Sequence, residues 1–129
     1  MTVTDQVAYA PWMPGILGEL LALLDLQSNW NSYGAPVVSP SSLGYGLALL
    51  ARTTEPGSLR PAVVPSPSGG FQFEWHENGV DLEVEVLPSG QFSAYFQDRV
   101  KQDTREVEGD LEAVYELVRN RIAGHLTRP

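Results

Sequence analysis

Cysteine is missing from the 129 residues, and lysine and arginine are missing until Arg52. The first absence excludes disulfides and thiolate-ligated zinc, and it fits a reducing compartment. The second removes the basic n-region that a secretory signal needs, so no targeting segment is expected at the N-terminus. Long apolar runs are also lacking. The most apolar patch, Ile16 to Leu26, is interrupted by Gly18, Glu19 and Asp25 and falls far short of a membrane span. These features together predict a soluble cytoplasmic protein.

Bases are scarce as well, with eight Lys and Arg against sixteen Asp and Glu for a formal net charge of -8. Arg99, Lys101, Arg105, Arg119, Arg121 and Arg128 all lie in the last third of the chain. A general nucleic-acid or anionic-membrane binder needs clustered Lys and Arg, so the balance argues against both. It is compatible with a basic protein partner. No Gly-rich phosphate loop is present, no serine stands in a nucleophile context, and the histidines are His76 and His125 alone. The pattern calls for no cofactor and assigns no metal.

What is present centres on Gly70 to Tyr95. Phe71, Phe73 and Trp75 alternate with Gln72, Glu74 and His76; after Asn78-Gly79, Val80, Leu82, Val84 and Val86 alternate with Asp81, Glu83 and Glu85. Alternation on both sides of Asn-Gly is the strongest short-range hairpin signature. With Asn78 and Gly79 as the central residues of a type I′ turn, Trp75 faces Leu82, Phe73 faces Val84 and Phe71 faces Val86. His76 then meets Asp81, Glu74 meets Glu83 and Gln72 meets Glu85 on the other side. A one-residue slip would bury the acids and expose the aromatics, so the register is strongly enforced. Pro88-Ser89-Gly90, read as a three-residue loop with a left-handed Gly90, sends Phe92, Ala94 and Phe96 to the apolar side and Ser93 and Tyr95 to the acidic one.

The rest of the chain fits a single domain. Residues 1 to 13 read as a poorly structured lead-in, and residues 15 to 57 as a helical part. Its first helix, about Gly15 to Leu26, carries Ile16, Leu17, Leu20, Leu21, Leu23, Leu24 and Leu26 over more than half its surface, which calls for burial on more than one side in the core or in a homodimer. Asn29 to Pro36 is a polar, aromatic loop whose Trp30 and Tyr33 serve either as lids over the core edge or as a recognition loop. Ser39-Pro40 starts a second helix to about Arg52, with Leu43, Leu47 and Leu50 on one face and with Gly44 and Gly46 permitting close approach of another backbone. Residues 61 to 109 form the antiparallel sheet, with a short strand near Ala62 to Val64 able to pair at its edge and another near Thr104 to Glu108. Residues 110 to 126 form a last helix capped by Asp110, with Leu111, Val114, Val118 and Ile122 along one stripe and Gly124 fraying its end. The expected fold is therefore α+β: a two-layer domain with a three- to four-stranded antiparallel meander against helices, in the order α-α-β-β-β(-β)-α.

Three segments carry a resemblance. Asn29 to Ala35 is an NW-[DN]-x-YGA-like loop after a leucine-rich helix, Val63 to Trp75 reads V-x-P-x-x-x-GG-x-x-x-EW, and Leu82 to Val86 reads LE-[VI]-E-[VI]. In these the chain resembles a group of small bacterial proteins without an established activity. The likeness spans much of residues 16 to 90, leaves the C-terminal helix uncovered, and departs at Ser66-Pro67-Ser68, where a more acidic turn is the group's pattern. It implies no catalytic residue.

Two classes of function follow from the residues. Glu74, His76, Asp81, Glu83 and Glu85 share one sheet face beside Tyr95, with no Lys or Arg between Gly70 and Val86. Such a face suits a non-enzymatic interaction module, antitoxin-like or inhibitory, that binds a basic partner and is steered to it electrostatically; Trp30 and Tyr33 are candidate contacts. The alternative is a homo-oligomeric structural or accessory subunit associating through the first helix and the Trp30 loop. His76 opposite Asp81 also has the elements of a general base or metal ligand, but a flat sheet face gives no water-excluding pocket, so a hydrolytic or metal site ranks lower.

Overall fold

Period-two alternation folds here into one twisted sheet, and period 3.6 into the helices that cover it. The computed structural model describes residues 10–128. Its elements are α1 (Met13–Leu23), α2 (Pro40–Thr53), β1 (Ala62–Pro65), β2 (Phe71–Glu77), β3 (Val80–Val86), β4 (Phe92–Asp98), β5 (Asp103–Gly109) and α3 (Leu111–His125). The five strands are antiparallel and stand in sequence order, β1-β2-β3-β4-β5. This is an α+β fold with both expected flanking strands present. The second of them is longer than Thr104 to Glu108, since its seven residues pair with all seven of β4.

The β2–β3 hairpin has the register that its turn dictates. Asn78 and Gly79 both have positive φ, 55° and 79°, and Trp75 pairs with Leu82, Phe73 with Val84, Phe71 with Val86 and His76 with Asp81. At the next turn Leu87 N–H donates to Gln91 O and Gly90 N–H to Leu87 O, while Gly90 takes a φ of 91°. Phe92, Ala94 and Phe96 are consequently buried. Gly70 is needed for a different reason, because a Cβ there would lie 1.8 Å from the carbonyl oxygen of Val86.

All three helices lie on the aromatic face. Ile16, Leu20 and Leu23 from α1, Leu43, Leu49 and Leu50 from α2, and Val114, Val118 and Ile122 from α3 close one core over Phe71, Phe73, Trp75, Leu82, Val84 and Phe96. Phe71 and Phe73 meet edge to face with centroids 4.9 Å apart, an arrangement that their quadrupoles favour. Trp75 satisfies its indole N–H on Leu59 O at 2.8 Å. Outside the core cluster, Arg52 of α2 grips both carboxylate oxygens of Glu112 on α3, at 2.9 and 3.2 Å.

Several expectations need correction. Within the anticipated lead-in, residues 1–9 lie outside the described residues, but Ala10 is buried and Trp12 donates from Nε1 to Ser58 O at 2.7 Å. The first helix starts at Met13, with Pro14 in its first turn, and ends at Leu23, before Leu26. It is buried on one side only, and Leu17, Leu21 and Leu24 are 42%, 53% and 40% exposed. On α2 the buried stripe runs through Leu43, Gly46, Leu49 and Leu50, leaving Leu47 partly covered. Gly46 admits a side chain, the Phe71 ring, and Gly44 has no close neighbour in the direction of a Cβ. The last helix, Leu111–His125, keeps to the expected 110 to 126, and Gly124 is helical within its final turn. Leu126 is fully buried beyond it, and the segment is pinned by Leu59 N–H to Leu126 O at 2.7 Å and by Arg128 N–H to Gly57 O at 2.8 Å.

The two glycines of α2 give a paired test. Gly44→Ala should raise stability by up to about 1 kcal/mol through helix propensity alone. Gly46→Ala should lower it by about 1–3 kcal/mol, because its Cβ would stand 2.4 Å from Phe71 Cζ and force the ring to move. Urea denaturation of the two variants beside the parent checks both signs.

Candidate functional site

The face opposite the helices is built by the same alternation that builds the core. Cross-strand partners place its side chains in rows: Ala62, Glu74, Glu83, Tyr95 and Glu106 in one; Val64, Gln72, Glu85, Ser93 and Glu108 in a second; His76, Asp81, Gln97 and Thr104 in a third. Six carboxylates, Glu74, Asp81, Glu83, Glu85, Glu106 and Glu108, therefore share a surface on which no strand contributes Lys or Arg. Glu74, His76, Asp81, Glu83, Glu85 and Tyr95 all stand on this surface as the alternation requires. Glu106 and Glu108 complete it and were not among the expected residues. Their signal was the alternation of Thr104, Glu106 and Glu108 with Arg105 and Val107, which becomes informative once β5 is in register with β4.

Part of the charge is held by local partners. Arg99, from the β4–β5 loop, bonds Asp81, while Asp81 Oδ1 lies 2.7 Å from His76 Nδ1. His76 Nε2 is 3.1 Å from Glu74 Oε1 and 3.9 Å from Glu83 Oε2. Carboxylates only accept, so both close contacts of the imidazole are hydrogen bonds when it is doubly protonated. The bond to Asp81, and then that to Glu74, accordingly raises the His76 pKa above 6.5. Arg99 first, and His76 second, hold the Asp81 carboxyl below its ordinary value. Gln72 Nε2 donates to Glu74 Oε2 at 2.7 Å, and Ser66 Oγ donates to Glu85 Oε2 at 2.5 Å. Tyr95 OH turns along its own strand to Gln97 Oε1 at 3.1 Å.

Among the described residues one group on this face could hold a metal ion. Ligand atoms of Glu74, His76 and Glu83 lie within 4.8 Å of one another, a set suited to a divalent cation of borderline softness. Coordination there needs the Nε2 proton removed, which the raised His76 pKa opposes. His125 is not in this group: its ring lies against Phe96 at 5.2 Å between centroids, on the side of the sheet that carries the core, and its carbonyl accepts from Asn78 Nδ2 at 3.1 Å.

Trp30 and Tyr33 belong to the α1–α2 connection and not to the strands that carry the acids. Their loop is closed by its own polar groups: Asn29 Oδ1 accepts from Gly34 N–H at 2.6 Å, Asn31 Oδ1 from Tyr33 N–H at 2.9 Å, and Ala35 O from Asn29 N–H at 2.6 Å. Asn29, Ser32 and Gly34 all take positive φ. Trp30 is half-buried and donates to Pro36 O at 3.1 Å, whereas Tyr33 is 91% exposed and covers no core. The loop exits through Pro36 beside the Gly69 and Pro88 turns, at the Glu85 end of the sheet; His76 and Asp81 occupy the other end. No family model, curated protein or solved structure matches the chain.

The histidine network predicts a defined titration. His76 should titrate above 6.5, and Asp81→Asn should bring it back toward that value, as read from imidazole chemical shifts. Because the folded pKa is the higher one, the stabilisation is fully present below about pH 6.5 and is lost as pH rises through the raised value. With the ring nearly half exposed, that contribution stays under about 1 kcal/mol.

Proposed function

We propose that this chain is a non-enzymatic protein-interaction module that binds a basic partner through its open acidic sheet face. The observation that carries the reading is the row Glu74–Glu83–Tyr95–Glu106 with its neighbours, in which Glu74 directly opposes Glu83 and further carboxylates follow on β3 and β5 with no strand Lys or Arg among them. Directly opposed like charges destabilise a sheet. Their repulsion falls when a cationic surface covers them, and a net charge of -8 draws such a partner in. In a cytoplasmic setting this is the surface of an antitoxin-like or inhibitory protein that masks a basic, nucleic-acid-binding partner. Among the described residues no helix is long and apolar enough to cross a membrane.

A second reading rests on α1 and its C-cap, where Leu17, Leu21 and Leu24 form an exposed stripe at i, i+4 and i+7. It makes the chain a homo-oligomeric accessory subunit joined through that helix. Charge reversal and leucine replacement separate the two. Affinity capture by the tagged protein from its native cells, eluted with a salt gradient, should yield a stoichiometric basic partner released by modest salt. Glu83→Lys with Glu85→Lys should reduce that capture at least tenfold while leaving the fold intact, and Leu17→Glu should leave it unchanged. Capture that survives the double charge reversal contradicts the acidic-face reading, and a dimer dissolved by Leu17→Glu supports the second.

A further inference from the structure

The two edges of the sheet are not alike. β1 is four residues long, follows Pro61 and ends in Pro65, so one edge is short and lacks donors where proline stands. β5 is seven residues long, contains no proline, and pairs in an unbroken register with β4. Among the described residues nothing pairs with its outer side. Beside it runs a groove of about 360 Å³ lined by Arg105 of β5 and by Glu116, Leu117, Asn120 and Arg121 of α3. Half-buried Val107 and Leu117 leave apolar surface on that side. Glu106 and Glu108 stand on the open face of the same strand.

We infer that the outer edge of β5 accepts an added strand from a basic partner, one with Lys or Arg at alternate positions and small apolar residues between them. This deepens the acidic-face reading and rests on it. Alternation assigns the two sets of side chains. One parity of the incoming strand lies on the open face beside Glu106 and Glu108, where cations extend the acidic rows with opposite charge. The other parity points toward the α3 side, where short apolar side chains enter the groove along Leu117. A second copy of this chain is the poorer occupant, because β5 against β5 sets the open-face glutamates of one strand beside those of the other. The charges that discourage self-pairing thus select a cationic strand.

Synthetic peptides test this with the full-length protein. A seven-residue Lys-Val alternating peptide should bind at least tenfold tighter than an isomer with its lysines and valines in separate blocks. Amide shifts should be largest at Thr104, Glu106 and Glu108, with slowed hydrogen exchange along β5. N-methylating the alternating peptide on one parity removes the donors that face β5 and should abolish binding; methylating the other parity should not. Glu106→Lys with Glu108→Lys should lose the peptide as well. Equal affinity for the isomer, indifference to both methylation patterns, shifts confined to other strands, or no binding each overturns the edge assignment. Binding that survives both methylations but is lost in the Glu83→Lys, Glu85→Lys protein removes the edge and leaves the face reading standing. Binding that depends on one methylation parity and is unchanged in that variant supports the edge and counts against the face.

Discussion

The register of the β2–β3 hairpin is the constraint from which the rest of the structure follows. Asn78 and Gly79 accept the positive φ values of a two-residue turn, and that turn fixes which residue meets which across seven paired positions. Because side chains alternate, placing Phe71, Phe73 and Trp75 inward also places Glu74, Glu83 and Glu85 outward, with the two central glutamates opposed. The sheet cannot relieve that opposition by slipping one residue, since the slip would exchange aromatics for carboxylates in the core. Burial of Trp75 and the phenylalanines, each a contribution of about 1.5–3 kcal/mol, outweighs a like-charge opposition of well under about 1 kcal/mol. The opposition therefore persists in the folded face, eased where His76 Nε2 lies 3.1 Å from Glu74 and 3.9 Å from Glu83.

The helices act on the face indirectly. By covering only the aromatic side, α1, α2 and α3 leave the other side of β2 to β5 open among the described residues, and Arg52 with Glu112 ties two of them together. What local compensation exists is unevenly placed. His76 and Arg99 balance Asp81 and Glu74 at the Asn78 end, whereas Glu106 and Glu108 at the β5 edge stand beside Tyr95 and Ser93. The face is thus graded, with its least neutralised charge nearest the unpaired edge.

How much of this was readable without coordinates depended on sequence distance. The hairpin, the Gly90 turn, the Ser39 and Asp110 caps and the α+β order are encoded within a few residues of where they act, so local pattern specifies them. The acids of β5 were not legible, because the β4–β5 connection carries no Asn-Gly or Gly signal: Gln102 takes the positive φ there, and Asp98 binds the Val100 and Lys101 amides. Contacts between distant segments were equally hidden. Ser66 to Glu85 and Arg99 to Asp81 join residues 19 and 18 apart. The backbone pairing that pins the chain beyond the last helix, Leu59 N–H to Leu126 O, spans a still greater separation. Tyr33 reversed the usual expectation for an aromatic residue: its loop buries Ala35 and half-buries Trp30, while the turn closed by Asn29 and Asn31 leaves Tyr33 itself in solvent.

The central claim is that the open face of the free protein holds unrelieved negative charge that a cationic partner would neutralise. The most direct measurement is stability against urea of the parent and of Glu83→Gln with Glu106→Gln, the two acids that flank Tyr95, over a range of salt concentrations. The account predicts that the variant is the more stable protein at low salt, and that the difference closes as added salt screens the parent's face. A variant less stable than its parent, or a difference indifferent to salt, would show that these carboxylates are already satisfied within the fold and would contradict the account.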